Sequence, residues 1–189
     1  IPFDNPDMVV LVVDTKVKHD LTDGGYAARR DQCYSAAAKL GVKMLRDADA
    51  EMVAAAAGEL SDWEFIRARH VVSEIGRTLK AVEAMDAGDY AAFSKLMYAS
   101  HASLRDDYEG SWDELDEIVR EASGLEGVYG ARMTGGGFGG CAIILADADK
   151  ADHIATAITE TYTAGFGHPC VIFPTRAAGG GQSETNGRS

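Results

Sequence analysis

Gly130-Ala131-Arg132-Met133-Thr134-Gly135-Gly136-Gly137-Phe138-Gly139-Gly140-Cys141-Ala142-Ile143-Ile144-Leu145 is the stretch whose reading decides the fold. Five glycines among the six positions from Gly135 to Gly140 give a backbone that a ligand can approach without meeting Cβ atoms. Successive unhindered N–H groups in such a loop can form an anion-binding concavity. The plainer alternative is a glycine-rich hairpin that binds nothing. Gly135, Gly137 and Gly140 fit G-x-G-x-x-G, but a dinucleotide fingerprint needs a helix directly after the glycines. Here the apolar run Cys141 to Ala146 follows, and it reads as a strand. A protein-kinase glycine loop does lie between strands, yet V-A-I-K, H-R-D and D-F-G are all missing from the chain. The lysine of a Walker A loop is missing as well, since Cys141 follows the last glycine.

Outward from the loop, Val128 to Met133 reads as its entering strand. A helix is expected around Lys150 to Ala164, stopped by Gly165, and Cys170 to Phe173 reads as the last strand. Toward the N-terminus, Met8-Val9-Val10-Leu11-Val12-Val13 is a continuous apolar run, the pattern of a strand buried on both faces. It ends at Asp14-Thr15, before a turn-rich stretch from Lys16 to Gly25. A helix is expected from about Tyr26 to Leu40, with Gly41 as its stop. Ser61-Asp62-Trp63-Glu64 is a capping box. Its helix carries Phe65, Ile66, Val72, Ile75, Leu79 and Val82 at near-helical spacing and stops at Gly88. Asp89 caps a further helix with an apolar face of Phe93, Leu96, Met97 and Leu104. Ser111-Trp112-Asp113-Glu114 reads as a second capping box, opening a helix that runs to Gly124.

The order is strand, several helices, strand, glycine loop, strand, helix, strand. It predicts an α+β domain, a ferredoxin-like split β-α-β-β-α-β plan with extra helices inserted in the first crossover. The sheet should be four-stranded and mostly antiparallel, with helices on one face. No internal repeat interrupts this plan. Residues 1–176 are expected to form one domain, and the polar, Gly-rich stretch 177–189 a disordered tail.

A length of 189 residues and a hydrophobic fraction of 46% suit one globular domain with a substantial core. The formal net charge of −12 excludes a general nucleic-acid or anionic-membrane surface, because phosphates would be repelled at long range. Any phosphate site must rest on local groups: Lys16, Lys18, Arg29, Arg30, Arg132 or backbone amides. Solvated surface is the simpler role for each of those side chains. Cys33, Cys141 and Cys170 are odd in number and widely spaced, which suits a reducing compartment better than a disulfide framework or a zinc site. The histidines His19, His70, His101, His153 and His168 lack metal-ligand spacing, and a structural or surface role is expected for each. Asp106-Asp107 is the one conspicuous acidic pair, but neighbouring helical residues diverge and cannot share a metal. The chain starts at Ile1, with its first strand close behind, and is expected to be a piece of a longer protein.

Residue spacing alone therefore assembles no complete catalytic apparatus. The residues do carry a resemblance. Gly130 to Cys141 resembles the third signature of galactokinases, within the GHMP small-molecule kinase superfamily. Asp14-Thr15-Lys16-Val17-Lys18-His19, with Tyr26-Ala27-Ala28-Arg29-Arg30 and Gln32-Cys33, resembles the family's N-T-x-V-K-H … Y-x-x-R-R-x-Q-C stretch. Arg67 to Glu74 resembles its R-x-x-H-V-x-x-E helix, and Ser100 to Glu109 its S-H-x-S-L-R-D-D-Y-E segment.

The resemblance implies the C-terminal half of an enzyme that moves the ATP γ-phosphate to the anomeric hydroxyl of galactose. It implies ATP and Mg2+ as cofactors, galactose as substrate, and the protein's own N-terminal domain as partner, with the active site between the halves. The sugar-recognition and phosphate-loop signatures, the aspartate base and the metal ligands would all lie in that other half. In this chain the resemblance implies Tyr26 as the sugar-binding residue and Gly135, Gly136, Gly137, Phe138, Gly139 and Gly140 as an active-site loop. It implies no catalytic residue and no metal ligand here; the charge leaves no nucleic-acid or membrane partner expected, and the cysteines suit a cytoplasmic location. Gly24-Gly25 stand where many relatives carry Ser-Glu, Asp14 replaces an Asn, and Ser111-Trp112-Asp113 replaces Ser-x-Pro. Galactose, an N-acetylated analogue and arabinose stay open as the sugar, and so does a non-catalytic galactokinase-like sensor. A stand-alone ferredoxin-like binding module is the third alternative.

Overall fold

The structure, a computed structural model, describes residues 5–18, 25–136 and 139–176. His19, the Asp23-Gly24 turn, Gly137, Phe138 and the tail 177–189 lie outside the described residues. The element order is β1 (Met8–Lys18), α1 (Gly25–Lys39), α2 (Ala50–Ala55), α3 (Asp62–Asp86), α4 (Tyr90–Asp106), α5 (Asp113–Ala122), β2 (Val128–Thr134), β3 (Gly139–Asp147), α6 (Ala151–Phe166) and β4 (Val171–Thr175). The described strands form one sheet in the order β2-β3-β1-β4, antiparallel at every pairing. This is the split β-α-β-β-α-β arrangement expected from the sequence, with α1 to α5 inside the first crossover.

Strand alternation divides the sheet into two faces. Val9, Leu11 and Val13 of β1 share one face with Ala131 and Met133 of β2 and with Ala142, Ile144 and Ala146 of β3. Against that face lie Leu115, Ile118 and Val119 of α5 and Ile154, Ile158 and Tyr162 of α6, all buried. Each such large apolar side chain contributes about 1.5–3 kcal/mol by leaving water. The second face is not bare, which corrects the one-face expectation. Met8 and Leu145 pack there with Val10 and Ile143, covered by Tyr90, Phe93 and Met97 of α4. Val10 and Val12 are only half-buried, so β1 is sealed on one face, not both. β1 also outruns its expected end at Thr15, continuing to Lys18 through a register irregularity at Lys16, whose φ is 59°.

A separate cluster holds the inserted helices: Ala36 and Ala37 of α1, Leu45, Val53 of α2, Leu60 and Ala68 of α3. The Ser61 capping box forms as expected, with Ser61 N–H donating to Glu64 Oε2 (2.7 Å) and Glu64 N–H to Ser61 Oγ (3.3 Å). The second expected box does not. Trp112 takes the N-cap position of α5, and the Ser111 hydroxyl donates instead to Asp116 Oδ1 at 2.6 Å. α6 runs past Gly165 to Gly167, where φ is +77° and the left-handed cap falls. The face expected of α3 is also corrected. Leu79 is 62% and Ile75 37% exposed, while Glu64, Arg67 and His70 are buried.

Candidate functional site

β2 and β3 bring the glycine loop to one end of the sheet. Gly135 has φ +89° and Gly140 φ +106°, conformations that only glycine adopts without strain. A Cβ placed at Gly135, Gly136 or Gly140 meets no heavy atom of the described residues within 4 Å. Among the described residues these glycines therefore answer no packing demand. The end of β1 braces the loop's exit. Lys18 pairs with Gly139, and the buried Thr15 hydroxyl donates to the Gly140 carbonyl at 2.9 Å. The Thr15 carbonyl in turn accepts from the Tyr162 hydroxyl at 3.0 Å, tying β1 to α6.

Tyr26 sits in the first turn of α1, 57% exposed. With Cys33, Tyr34, Val71, Ile75 and Tyr108 it lines a groove of about 340 Å³ to which no described loop residue contributes. Beside Tyr26, the start of α1 is pinned by a polar cluster that spacing alone did not reveal. Arg29 donates from NH1 to the Gly25 carbonyl (2.9 Å), from Nε to the Tyr108 carbonyl (2.6 Å) and from NH2 to the Glu109 carbonyl (2.8 Å). One guanidinium thus ties the start of α1 to the segment after α4. Arg67, only 2% exposed, donates to the Asp107 carbonyl and to Glu109 Oε2. Glu109 turns through φ 52° to receive it.

Beside Arg67, the buried His70 ring stacks on Tyr108 at 4.7 Å, and its Nδ1 lies 2.9 Å from Ser103 Oγ, which donates to Asp107 Oδ2. Burial pushes the His70 pKa down to about 4, with Arg77 and Arg67 adding to the fall and Glu74 and Asp107 opposing it. His70 is therefore neutral near pH 7. The signal for this cluster in the sequence was Arg67, His70 and Glu74 at helical spacing on one stripe of α3.

The basic residues proposed for a phosphate divide. Arg30 is exposed and pairs with Asp31. Lys16 Nζ lies 2.7 Å from Asp14 Oδ2. Arg132 donates to the Met133 carbonyl at 3.0 Å and stands 3.9 Å from Glu74 Oε2. Arg29 is half-buried and hydrogen-bonded to three backbone carbonyls, not the solvated surface residue expected of it. The two carboxylates near these cations stay ionised. The Lys16 side chain and amide hold Asp14 below its ordinary pKa. Burial raises the Glu74 carboxyl, but hydrogen bonds from Ser100 and Arg77 outweigh it. Neither is tuned as a base near neutrality. Asp106 pairs with Arg105, while Asp107 accepts from Ser103 and Arg69, so the acidic pair diverges. Among the described residues no three His, Cys, Asp or Glu side chains come together to hold a metal. No described helix is long and apolar enough to cross a membrane.

Residues 81–164 match the family model described as GHMP kinases C terminal. A galactokinase of Homo sapiens is 45% identical over 180 residues, covering 95% of this chain and 45% of that protein. One of Roseiflexus sp. (strain RS-1) is 38% identical over 180 residues, covering 93% and 46%. The structure of Lactococcus lactis galactokinase complexed with galactose superposes with a TM-score of 0.87 at 34% identity, over 92% of this chain and 46% of that one. The L. major mevalonate kinase shares the fold alone, with a TM-score of 0.52 at 23% identity. Over most of its length the chain is similar to part of several galactokinases, and residues 81–164 carry the match to the C-terminal domain of the GHMP kinases. It spans a little under half the length of the curated relatives it matches.

Proposed function

We propose that this chain is the C-terminal part of an ATP-dependent galactokinase, which transfers the γ-phosphate of ATP to the anomeric hydroxyl of galactose and yields galactose 1-phosphate. The observation that carries the reading is the glycine loop, where a Cβ at Gly135, Gly136 or Gly140 would meet no described atom within 4 Å while the exit is braced by Thr15 and Tyr162. A backbone without Cβ atoms, braced at its exit, suits close approach by a substrate or a phosphate-binding segment of the same protein. Phosphoryl transfer asks the protein mainly for positioning and charge stabilisation, which such a loop supplies. Tyr26, set by Arg29, presents a hydroxyl for a sugar.

Residues 1–176 form the domain in this reading, in a reducing, cytoplasmic setting that suits three free cysteines. Magnesium finds no ligand set among the described residues, so no step is routed through it. Its ligands and the base are assigned to the other half of the protein.

Assays should compare galactose, N-acetylgalactosamine and arabinose as acceptors in the full-length protein. Galactose 1-phosphate is the expected product, and Tyr26→Phe should raise the galactose KM with the fold intact, by a factor matching about 0.5–1.5 kcal/mol. Binding of sugar and ATP without turnover would establish the sensor instead. The isolated chain should show no turnover, because half a site positions nothing; galactose 1-phosphate made by the isolated chain would overturn the half-site reading.

A further inference from the structure

His101 belongs to a segment matched to the family, yet none of the roles above uses it. It is 3% exposed, on α4, and its ring touches two other elements. Its Nδ1 accepts the backbone N–H of Met133 at 3.2 Å. Its Nε2 lies 3.0 Å from Asp116 Oδ1 of α5, a close approach short of a linear hydrogen bond. Asp116 Oδ1 also receives the Ser111 hydroxyl at 2.6 Å. Burial would raise the Asp116 carboxyl, but His101 and Ser111 outweigh it and hold it ionised.

Two consequences follow from elementary hydrogen-bond bookkeeping. A ring nitrogen that accepts a backbone N–H carries no proton, so neutral His101 holds its proton on Nε2, toward the carboxylate. Asp116 thereby selects the tautomer that can accept from Met133. Moreover, β2 is an edge strand of the sheet, so its outward N–H groups have no strand partner. Met133 is buried, and its amide would be a costly orphan without the imidazole. Gly135 follows two residues later, where the chain enters the glycine loop at φ +89°.

We infer that His101, oriented by Asp116, is a positioning residue that sets the entry of the glycine loop by accepting the Met133 amide. Thr15 braces the loop's exit through Gly140, so the two contacts fix the loop from both sides. The kinetic part of this inference rests on the galactokinase reading; the structural part does not.

Two substitutions separate the ring's two contacts. His101→Asn places Oδ1 where Nδ1 was and keeps an acceptor for Met133, but loses the reach to Asp116. His101→Gln places an amide nitrogen near Nε2 and keeps the Asp116 contact, but loses the acceptor. In hydrogen exchange, His101→Gln should lower protection of the Met133 amide by about tenfold, the loss of roughly one hydrogen bond, and His101→Asn should leave it near wild type. In the full-length protein His101→Gln should cut kcat by about ten- to a hundredfold, with the galactose KM little moved, and His101→Asn should recover most of that turnover.

Imidazole ¹⁵N shifts of the unmutated protein should show Nδ1 without a proton and the ring proton on Nε2. That measurement stands even if a variant does not fold. A proton on Nδ1 would overturn the inference. So would an unchanged Met133 amide and unchanged kcat in His101→Gln, or equal damage from both variants, which is the signature of simple helix packing. If the unmutated full-length protein phosphorylates no sugar, the galactokinase reading falls, while the exchange and tautomer results still decide the role of His101.

Discussion

Acid should destabilise this protein through His70, and the size of the effect follows from its burial. The ring is 5% exposed, stacked on Tyr108, and its pKa is about 4, against an ordinary 6.5. Between those values the unfolded chain binds a proton that the folded protein refuses. Stability therefore falls as pH drops through 6.5, and the loss levels off below 4. From pH 7 to pH 5 the difference integrates to about 2 kcal/mol, and to about 3 kcal/mol once the window is crossed. Urea denaturation followed by the fluorescence of Trp63 and Trp112 measures this directly. His70→Asn keeps a polar atom near Ser103 but cannot titrate. It should be less stable than wild type at pH 7, yet lose about 2 kcal/mol less on going to pH 5. Equal losses in the two proteins would refute the assignment, because the acid sensitivity would then arise elsewhere.

Below that window Glu64 takes over: Lys39, Ser35 and the Ser61 amide hold its pKa at about 2, so its contribution is present above 4.5 and disappears as pH falls toward 2, with acid midpoints of Glu64→Gln as the check. Tyr162→Phe removes the buried bond to the Thr15 carbonyl and should cost about 1–2 kcal/mol in chemical denaturation, since the carbonyl is left unpaired. Gly130→Ala drives a methyl group to 2.8 Å from Met97 Sδ and 3.1 Å from Met97 Cβ, and should destabilise by about 1–3 kcal/mol. Met97→Val should recover part of that loss; no recovery would place the strain elsewhere. Gly140→Ala meets no atom but forces a side chain into φ +106°, so stability should drop by about 1–2 kcal/mol while sugar phosphorylation is lost from the full-length protein. Full activity would show that the loop only connects two strands.

The strands and most helix ends were legible because local chemistry fixes them. Continuous apolar runs marked β1 and β3, and Asp89, Gly41 and the Ser61 capping box each sit where their caps or turns require. The failures share one cause, a long-range partner that outbids a local signal. Ser111 leaves its capping box because Asp116 offers a charged acceptor within reach. α3 buries Arg67 and His70 and exposes Leu79 because Asp107, Tyr108 and Glu109, brought over by α4, satisfy the polar groups completely. Periodicity ranks side chains by hydrophobicity and cannot foresee that the Arg67 guanidinium will find three acceptors, on Gln32, Asp107 and Glu109. The same limit hid Arg29, whose acceptors lie 79 and 80 residues away. The glycine loop stood out in the sequence, but that a Cβ at Gly135, Gly136 or Gly140 would meet no described atom became visible only once the surrounding atoms were placed.

The sheet order has a consequence for biosynthesis. β1 leaves the ribosome before the other described strands, yet it lies inside the sheet, between β3 and β4. The acceptor of the Thr15 hydroxyl is 125 residues further along the chain, and the donor to the Thr15 carbonyl 147. At about 5–20 residues per second, β1 waits roughly 6–30 seconds before its neighbours exist. During that interval Met8 to Val13 is an apolar strand with both edges open, the kind of segment that pairs with other chains. The inserted helices α1 to α3 meanwhile complete their own small cluster from local contacts. Nascent chains stalled before β3 should therefore carry a folded helical cluster behind an adhesive, unpaired β1, and chaperone demand should peak in that window and end with β4.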